Sequence, residues 1–295
     1  VRMAAVSRQP RFRVLGGSLA AGATSVLVAK LCPYRVFGAS LAVGAATLLV
    51  ARCRRSRPRA PPVAVSSQPV VLDAEAGELD IDAIAASVRA NGVCCVCGFF
   101  GAEQVREWGA EIRALRAAGR MTARRNRNVG RYEYNFEADT HPFGSEGVLA
   151  DVRLVSLLKR LLGAKVRVET AGTVLAEPGA GLQRWHQDAP HLFATGPHLP
   201  AHFVAVFVPL CDVTLENGPT EFRVGSHVKA NILQPPAQLA LPCPVGSLLL
   251  FDGRVLHRGG ANSSAGEREI LFLNVCRHWF RDMSNKVENR LERLL

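Results

Sequence analysis

What most constrains this chain is a series of short strand-like runs: "VRVETAGTVLA" (166–176), "HFVAVFVPL" (202–210), "TEFRV" (220–224), "SLLLFD" (247–252) and "EILFLNVCRHWF" (269–280). Gly, Pro and Asn clusters separate them, the pattern of strands bounded by turns. No helical pattern falls between them, so the long crossovers that a parallel sheet needs are missing. The runs are therefore expected to pair antiparallel, as a sandwich or barrel. Helices come earlier. "DIDAIAASVRANG" (80–92) reads as a helix stopped by Gly92, and "AEQVREWGAEIRALRAAG" (102–119) sets Val105, Trp108, Ile112 and Leu115 on one face before a glycine stop. A third helix after Asp151 carries Leu154, Leu157, Leu158 and Leu161, and "VCCVCGFF" (93–100) reads as a buried strand. The expected fold class is mainly β with flanking helices on the N-terminal side.

The formal charge of +11 suggests nucleic acid at first sight, but its distribution does not. Residues 1–72 hold eleven Arg and Lys and no acidic residue, so the rest of the chain is balanced and no nucleic-acid partner is expected. Within that basic region "RVLGGSLAAGATSVLVAK" (13–30) recurs as "RVFGASLAVGAATLLVAR" (35–52), with eleven of eighteen positions identical. Each copy has sixteen uncharged residues, about 24 Å of helix at ~1.5 Å per residue, which is short for a ~30 Å hydrocarbon core. Ser18 and Gly22, and again Ser40 and Gly44, have the spacing that lets membrane helices approach closely.

Residues 1–52 are read either as a membrane hairpin or as a cleavable leader for an organelle, a plastid or mitochondrion. An Arg/Pro-rich linker (53–71) separates them from a folded body at 72–295. Cys94 and Cys97 have the CxxC spacing, but no second clustered pair exists to complete a four-ligand zinc site, and Cys94, Cys95 and Cys97 are read as small buried hydrophobes.

Chemistry concentrates in "QRWHQDAPH" (183–191). At a strand end, residues two apart share a side, so His186 and Asp188 can reach one metal ion while Gln187 points away. Downstream, His257 in "FDGRVLHRGGANSS" can supply a third ligand, and two imidazoles with one carboxylate form the open triad of non-haem Fe(II) oxygenases. Arg268, eleven residues further on, returns a planar guanidinium beside the metal, suited to hold a carboxylate through two parallel hydrogen bonds.

Together "WHQDAPHLF", "NGPTEFRVGSH" (217–227), "FDGRVLHRGGANSS" with Arg268, and "WFRD" (279–282) resemble the phytanoyl-CoA dioxygenase family, over roughly Gly92 to Asp282. The resemblance implies a double-stranded β-helix (a jelly-roll, cupin-like), with Fe(II) held by His186, Asp188 and His257 as catalytic metal ligands. It implies that Arg268 binds the far carboxylate of 2-oxoglutarate, and that O2 is consumed while a small organic or lipid-like molecule is hydroxylated and succinate and CO2 are released. The carboxylate of Asp188 separates this chain from related halogenases, which resemble it but carry a small residue there.

Around that centre, Gln183 is expected beside the co-substrate, and Asn262 and Ser264 either beside it or within their own turn. Trp185 is read as core or as substrate-facing, and His191 as substrate-facing; with His198 and His202 it crowds one loop, read as a solvated loop or a polar lid over the pocket in preference to a second metal site. His227 is read as ending a strand rather than binding metal. The run "GRMTARRNRNVGRYEYNF" (119–136), with Arg120, Arg124, Arg125, Arg127 and Arg131, is read as a solvated face, with an anionic substrate at Arg131 as the sharper alternative. The proline-rich "NILQPPAQLALPCPVG" (231–246) is expected to be a lid-like connection, and "NKVENRLERLL" an amphipathic helix for packing or a dimer contact. The rival readings are a catalytically silent jelly-roll that binds a small ligand or partner, and a cupin-like metal enzyme without 2-oxoglutarate, which Arg268 argues against. The oligomeric state is not legible.

Overall fold

The computed structural model describes residues 70–282, apart from 75–78, 126–127, 137–140, 234 and 236. The N-terminal repeat, nearly all of the linker and the C-terminal amphipathic segment lie outside the described residues. Among the described residues no helix is long and apolar enough to cross a membrane.

Three helices appear where the apolar periodicity places them. In α1 (Ile81–Asn91), Asp80 caps the first turn by accepting from Ala83 N at 2.9 Å, and Gly92 ends it at φ 81° with its N–H on the Val88 carbonyl. A side chain at Gly92 would also strike His227, whose Nδ1 lies 2.6 Å from an added Cβ. α2 (Ala102–Ala117) buries Val105, Trp108 and Ile112, and α3 (Val152–Leu162) starts at Asp151, which accepts from the Arg153 and Leu154 amides. Leu154, Leu157, Leu158, Leu161 and Leu162 form the buried face of α3, each worth about 1.5–3 kcal/mol of burial.

The strands form two sheets. The larger has eight, in the order β1 (Val71–Asp73), β2 (Val93–Cys97), β9 (Leu248–Asp252), β6 (Phe203–Pro209), β11 (Arg268–Arg277), β5 (Val166–Ala176), β4 (Arg131–Phe136) and β3 (Thr122–Arg125). All pairings in it are antiparallel except β1 with β2. The smaller sheet is β10 (His257–Gly259), β7 (Thr220–Val224) and β8 (Ala237–Leu241), and the 183–189 segment bonds to the outer edge of β10.

Strand alternation divides the core in two. Val204, Val206, Val208, Leu248, Leu250, Leu271 and Leu273 face the helices, in one apolar cluster with Ile84, Ile112 and the α3 leucines. Phe203, Ala205, Leu249 and Phe251 face the other way and meet Phe222, Val224 and Leu241 of the smaller sheet. Two antiparallel sheets face to face, with helices on the outside of one, make the expected double-stranded β-helix with its helical buttress.

Two expectations change. The 231–246 connection is not structureless, because β8 lies within it and pairs along its length with β7. Proline flanks hide this five-residue strand in the sequence. The arginine run is not wholly a solvated face, because Arg131 opens β4 and is only 1% exposed.

Candidate functional site

A cavity of about 130 Å³ opens between the two sheets, lined by Arg131, Glu133, Val174, Gln183, His186, Asp188, Phe207, Thr220, His257, Gly259, Arg268, Phe272 and Asn274. His186 and His257 are held opposite one another by a reciprocal pair of backbone hydrogen bonds, each 3.0 Å, and their rings lie 4.3 Å apart. Asp188 Oδ1 is 3.8 Å from His186 Nε2 and 3.6 Å from His257 Nε2.

The other ring nitrogens are engaged: His186 Nδ1 lies 2.9 Å from the Arg184 carbonyl and His257 Nδ1 lies 3.1 Å from the Val255 carbonyl. A carbonyl accepts only, so Nδ1 carries the proton and Nε2 keeps its lone pair toward Asp188, the tautomer a metal ligand needs. Burial also pushes the His257 pKa down, which keeps its ring neutral. Three ligand atoms, all within 4.8 Å of one another, fit one cation on a single face. Gln187 turns away, its side-chain amide donating to the Arg254 carbonyl.

Arg268 and Arg131 fill the opposite wall. Both lie in register with Ala176, one on each side of β5. Arg268 is 2% exposed, and its Nε and Nη2 have no hydrogen-bond partner among the described residues. Arg131 donates to the Gly181 carbonyl at 3.1 Å and to the Gly260 carbonyl, while its Nη1 is left without a partner among the described residues. Burial lowers both pKa values to about 10, with Arg131 adding to the effect at Arg268, so both stay charged at neutral pH. Buried guanidinium N–H groups without acceptors are costly unless an anion meets them, so the cavity suits a carboxylate. Gly259 keeps the room open, since an added Cβ would lie 2.7 Å from both Arg131 Nη1 and Gln183 Oε1.

Of the other expected site residues, Gln183 lines the cavity and its Oε1 accepts from Gly259 N at 2.7 Å. Trp185 does not line it; the ring is stacked between Arg223 and Arg258, 4.6 and 4.4 Å away. A bulge explains this. Residues 183 and 186 bond to 259 and 257, three steps against two, so Gln183 and His186 both face inward and Trp185 faces out. Asn262 and Ser264 close their own turn: Asn262 Nδ2 donates to the Ala176 and Gly266 carbonyls, and Ser264 donates to Asn262 Oδ1. His191 lines a separate cavity with Phe193, His198, Lys229 and Arg254. His227 is buried and bonds the Arg89 carbonyl at 3.0 Å, a structural role.

Thr220, Phe207, Phe272, Asn274 and Glu133 are cavity residues that the motifs do not mark. Glu133 carried a signal. The Tyr132, Tyr134, Phe136 alternation puts Arg131, Glu133 and Asn135 together on the other face.

Fold and cavity define the class first: a jelly-roll protein with a two-histidine, one-carboxylate centre. The description of the phytanoyl-CoA dioxygenase family matches residues 88–270, more than half of the chain, and the chain belongs to that family.

Among curated relatives, Dioxygenase easH of Epichloe festucae var. lolii is 30% identical over 92 residues, covering 30% of this chain and 50% of its own length. The iron/alpha-ketoglutarate-dependent dioxygenase ausU of Aspergillus calidoustus is 29% identical over 109 residues, covering 34% and 37%. The matched stretches thus span half or less of these relatives. Among solved structures, the non-heme alpha ketoglutarate dependent epimerase SnoN from nogalamycin biosynthesis is similar with a TM-score of 0.56 at 24% identity, over 67% of this chain and 82% of that one. HygX from Streptomyces hygroscopicus, with nickel and 2-oxoglutarate bound, gives 0.54 at 16% identity over 66% and 86%. At these identities the likeness is one of fold.

Proposed function

We propose that this protein is an Fe(II)- and 2-oxoglutarate-dependent dioxygenase that hydroxylates a small organic molecule. The observation that carries the reading is the pairing, across one cavity, of the His186–Asp188–His257 triad with the buried, partly unpartnered guanidinium of Arg268.

In this reading His186 and His257 hold the metal through Nε2 and Asp188 through Oδ1, on one face, leaving the cavity side open. Arg268 takes the far carboxylate of 2-oxoglutarate through parallel hydrogen bonds and fixes the end-to-end direction of the co-substrate. Arg131 adds a second positive charge on the same rung of the sheet, and Gln183 holds the Gly259 backbone so that the space beside both guanidinium groups stays open. Phe207 and Phe272 add apolar surface to the cavity wall. With Fe(II) bound, the site would couple oxidative decarboxylation of 2-oxoglutarate to oxidation of a substrate C–H bond by O2, releasing succinate and CO2.

The test is succinate formation by purified protein. Succinate should accumulate only when Fe(II), O2 and 2-oxoglutarate are all present, and His257→Ala should abolish it. No succinate from folded, iron-loaded protein would favour the silent ligand-binding jelly-roll instead, and iron-independent formation would contradict the role given to the triad. For residues 13–52 the reading remains a membrane hairpin or an organelle leader, supported by the repeat and its basic flanks.

A further inference from the structure

A second cavity, of about 140 Å³, has no part in the reaction proposed above. The segment that follows Asp188 supplies His191, Phe193 and His198, and the turn that precedes His257 supplies Arg254. Lys229, from the single 3-10 turn Lys229–Asn231, closes it. At ~3.6 Å per residue, no more than about 11 Å of chain separates Asp188 from His191. The walls are thus continuous with two of the metal ligands. Phe193, His198 and Lys229 are exposed, so the cavity opens to solvent.

Its polar side chains are two cations and two imidazoles, and no carboxylate lines it among the described residues. The carboxylate that acts on both imidazoles, Asp252, is buried and held by Arg254 Nε and Nη2. Lys229 Nζ donates to the Phe193 carbonyl at 3.1 Å and to the Ala194 carbonyl, and an ammonium has a third N–H to give. Arg254 Nη1 donates to the Leu199 carbonyl at 2.9 Å, and each Nη carries a second N–H. His191 Nε2 is buried and has no hydrogen-bond partner among the described residues.

Burial first, and then the charges of Arg254 and Lys229, push the His191 pKa down, so the imidazole stands in a positive potential. A buried ring nitrogen without a partner is costly to the protein alone. An anionic oxygen relieves that cost, because it accepts from His191 as the Nε2–H form and from the spare N–H groups of Lys229 and Arg254.

We infer that this cavity is an anion subsite that takes a carboxylate or phosphate group of the substrate, with Phe193, Leu199 and Val228 against the adjoining carbon chain. The site stands on the residues above, whereas its assignment to the substrate rests on the iron and 2-oxoglutarate reading. The anionic group that the arginine run suggested at Arg131 is thereby placed on Lys229 and His191, and Arg131 stays with the co-substrate.

The test uses the full chain with isotope-labelled histidine, the His191 ring resonances being assigned by their loss in His191→Gln. Hexanoate, hexyl phosphate and 1-hexanol share one carbon chain, and inorganic phosphate has none. Hexanoate or hexyl phosphate should shift His191 at a concentration about tenfold or more below 1-hexanol, the more effective of the two identifying the head group. In Lys229→Gln that preference should fall about tenfold, and in Lys229→Arg, which keeps the charge, it should persist. 1-Hexanol as effective as the anions, or a preference unchanged in Lys229→Gln, would overturn the anion site. Inorganic phosphate as effective as both chain-bearing anions would show an ion site only and overturn the substrate assignment.

A second sample, loaded anaerobically with Fe(II) and 2-oxoglutarate, separates the two readings through its visible charge-transfer absorption. The effective anion should perturb that absorption in the wild-type protein and not, at the same concentration, in Lys229→Gln. An absorption present but indifferent to the anion would overturn the substrate assignment. No absorption at all would overturn the iron and 2-oxoglutarate reading, while the His191 shifts would still decide the anion site.

Discussion

Arg268 sits in a cavity where its Nε and Nη2 meet no acceptor among the described residues, yet it remains charged despite burial. Lysine would keep the charge but lose the planar fork. Arg268→Lys is expected to weaken 2-oxoglutarate binding about tenfold to a hundredfold, the worth of one or two hydrogen bonds to a charged group, as titration of the Fe(II) protein would read. Restored affinity would mean that a point charge suffices. That His186, Asp188 and His257 cluster, with Arg268 on the same cavity, was legible from the ordered motifs that carry them; His257 and Arg268 open strands, and His186 joins them through its bridge to His257. Trp185 was not, because the bulge that turns it outward depends on hydrogen bonds to β10. Glu133 was half legible: alternation groups it with Arg131, but "RYEYNF" puts aromatic residues on one face and polar ones on the other, and local sequence does not say which face the second sheet covers.

At the scale of elements, α3 carries weight without touching the cavity. Leu158→Ala removes a fully buried side chain and is expected to cost about 2–5 kcal/mol in denaturant unfolding, leaving metal and co-substrate affinity unchanged in the folded fraction. The turn between β9 and β10 is different. There Arg254 bonds both carboxylate oxygens of Asp252, at 2.8 and 2.6 Å, and the Leu199 carbonyl, while Ala189 N, next to Asp188, bonds the Gly253 carbonyl.

Arg254→Met would strand the buried Asp252 carboxylate, costing about 3–5 kcal/mol, and should also loosen the Asp188 ligand. Reduced stability together with weaker metal binding is the expected result; stability loss alone would show that the turn does not position Asp188. The three helices could be read from periodicity because each buries one face, and β2, β5, β6, β7, β9 and β11 from apolar or alternating runs bounded by turn residues. β8 is hidden by its proline flanks and β10 is only three residues long; both exist through pairing with β7.

For the whole molecule, pH should matter through buried histidine away from the metal centre. His202 is almost fully buried, neither ring nitrogen has a hydrogen-bond partner among the described residues, and burial, aided by Arg254, takes its pKa down to about 4. The unfolded chain binds that proton from about pH 6.5 downward and the folded one does not, so this residue leaves stability intact above pH 6.5 and erodes it as pH falls toward 4. His202→Phe, which keeps the contact with Phe280, is expected to remove up to about 3 kcal/mol of that acid sensitivity, measured as unfolding free energy against pH. An unchanged slope would place the sensitivity elsewhere.

The central claim is that one cavity holds Fe(II) through His186, Asp188 and His257 and the far carboxylate of 2-oxoglutarate through Arg268. The most direct measurement is the anaerobic charge-transfer absorption of the full chain titrated with Fe(II) and 2-oxoglutarate, beside His257→Ala and Arg268→Ala. The account predicts a band in the wild-type protein, none in His257→Ala, and one in Arg268→Ala that needs far more 2-oxoglutarate to appear. A folded wild-type protein that takes up no iron and shows no band, or a band indifferent to both substitutions, would contradict it.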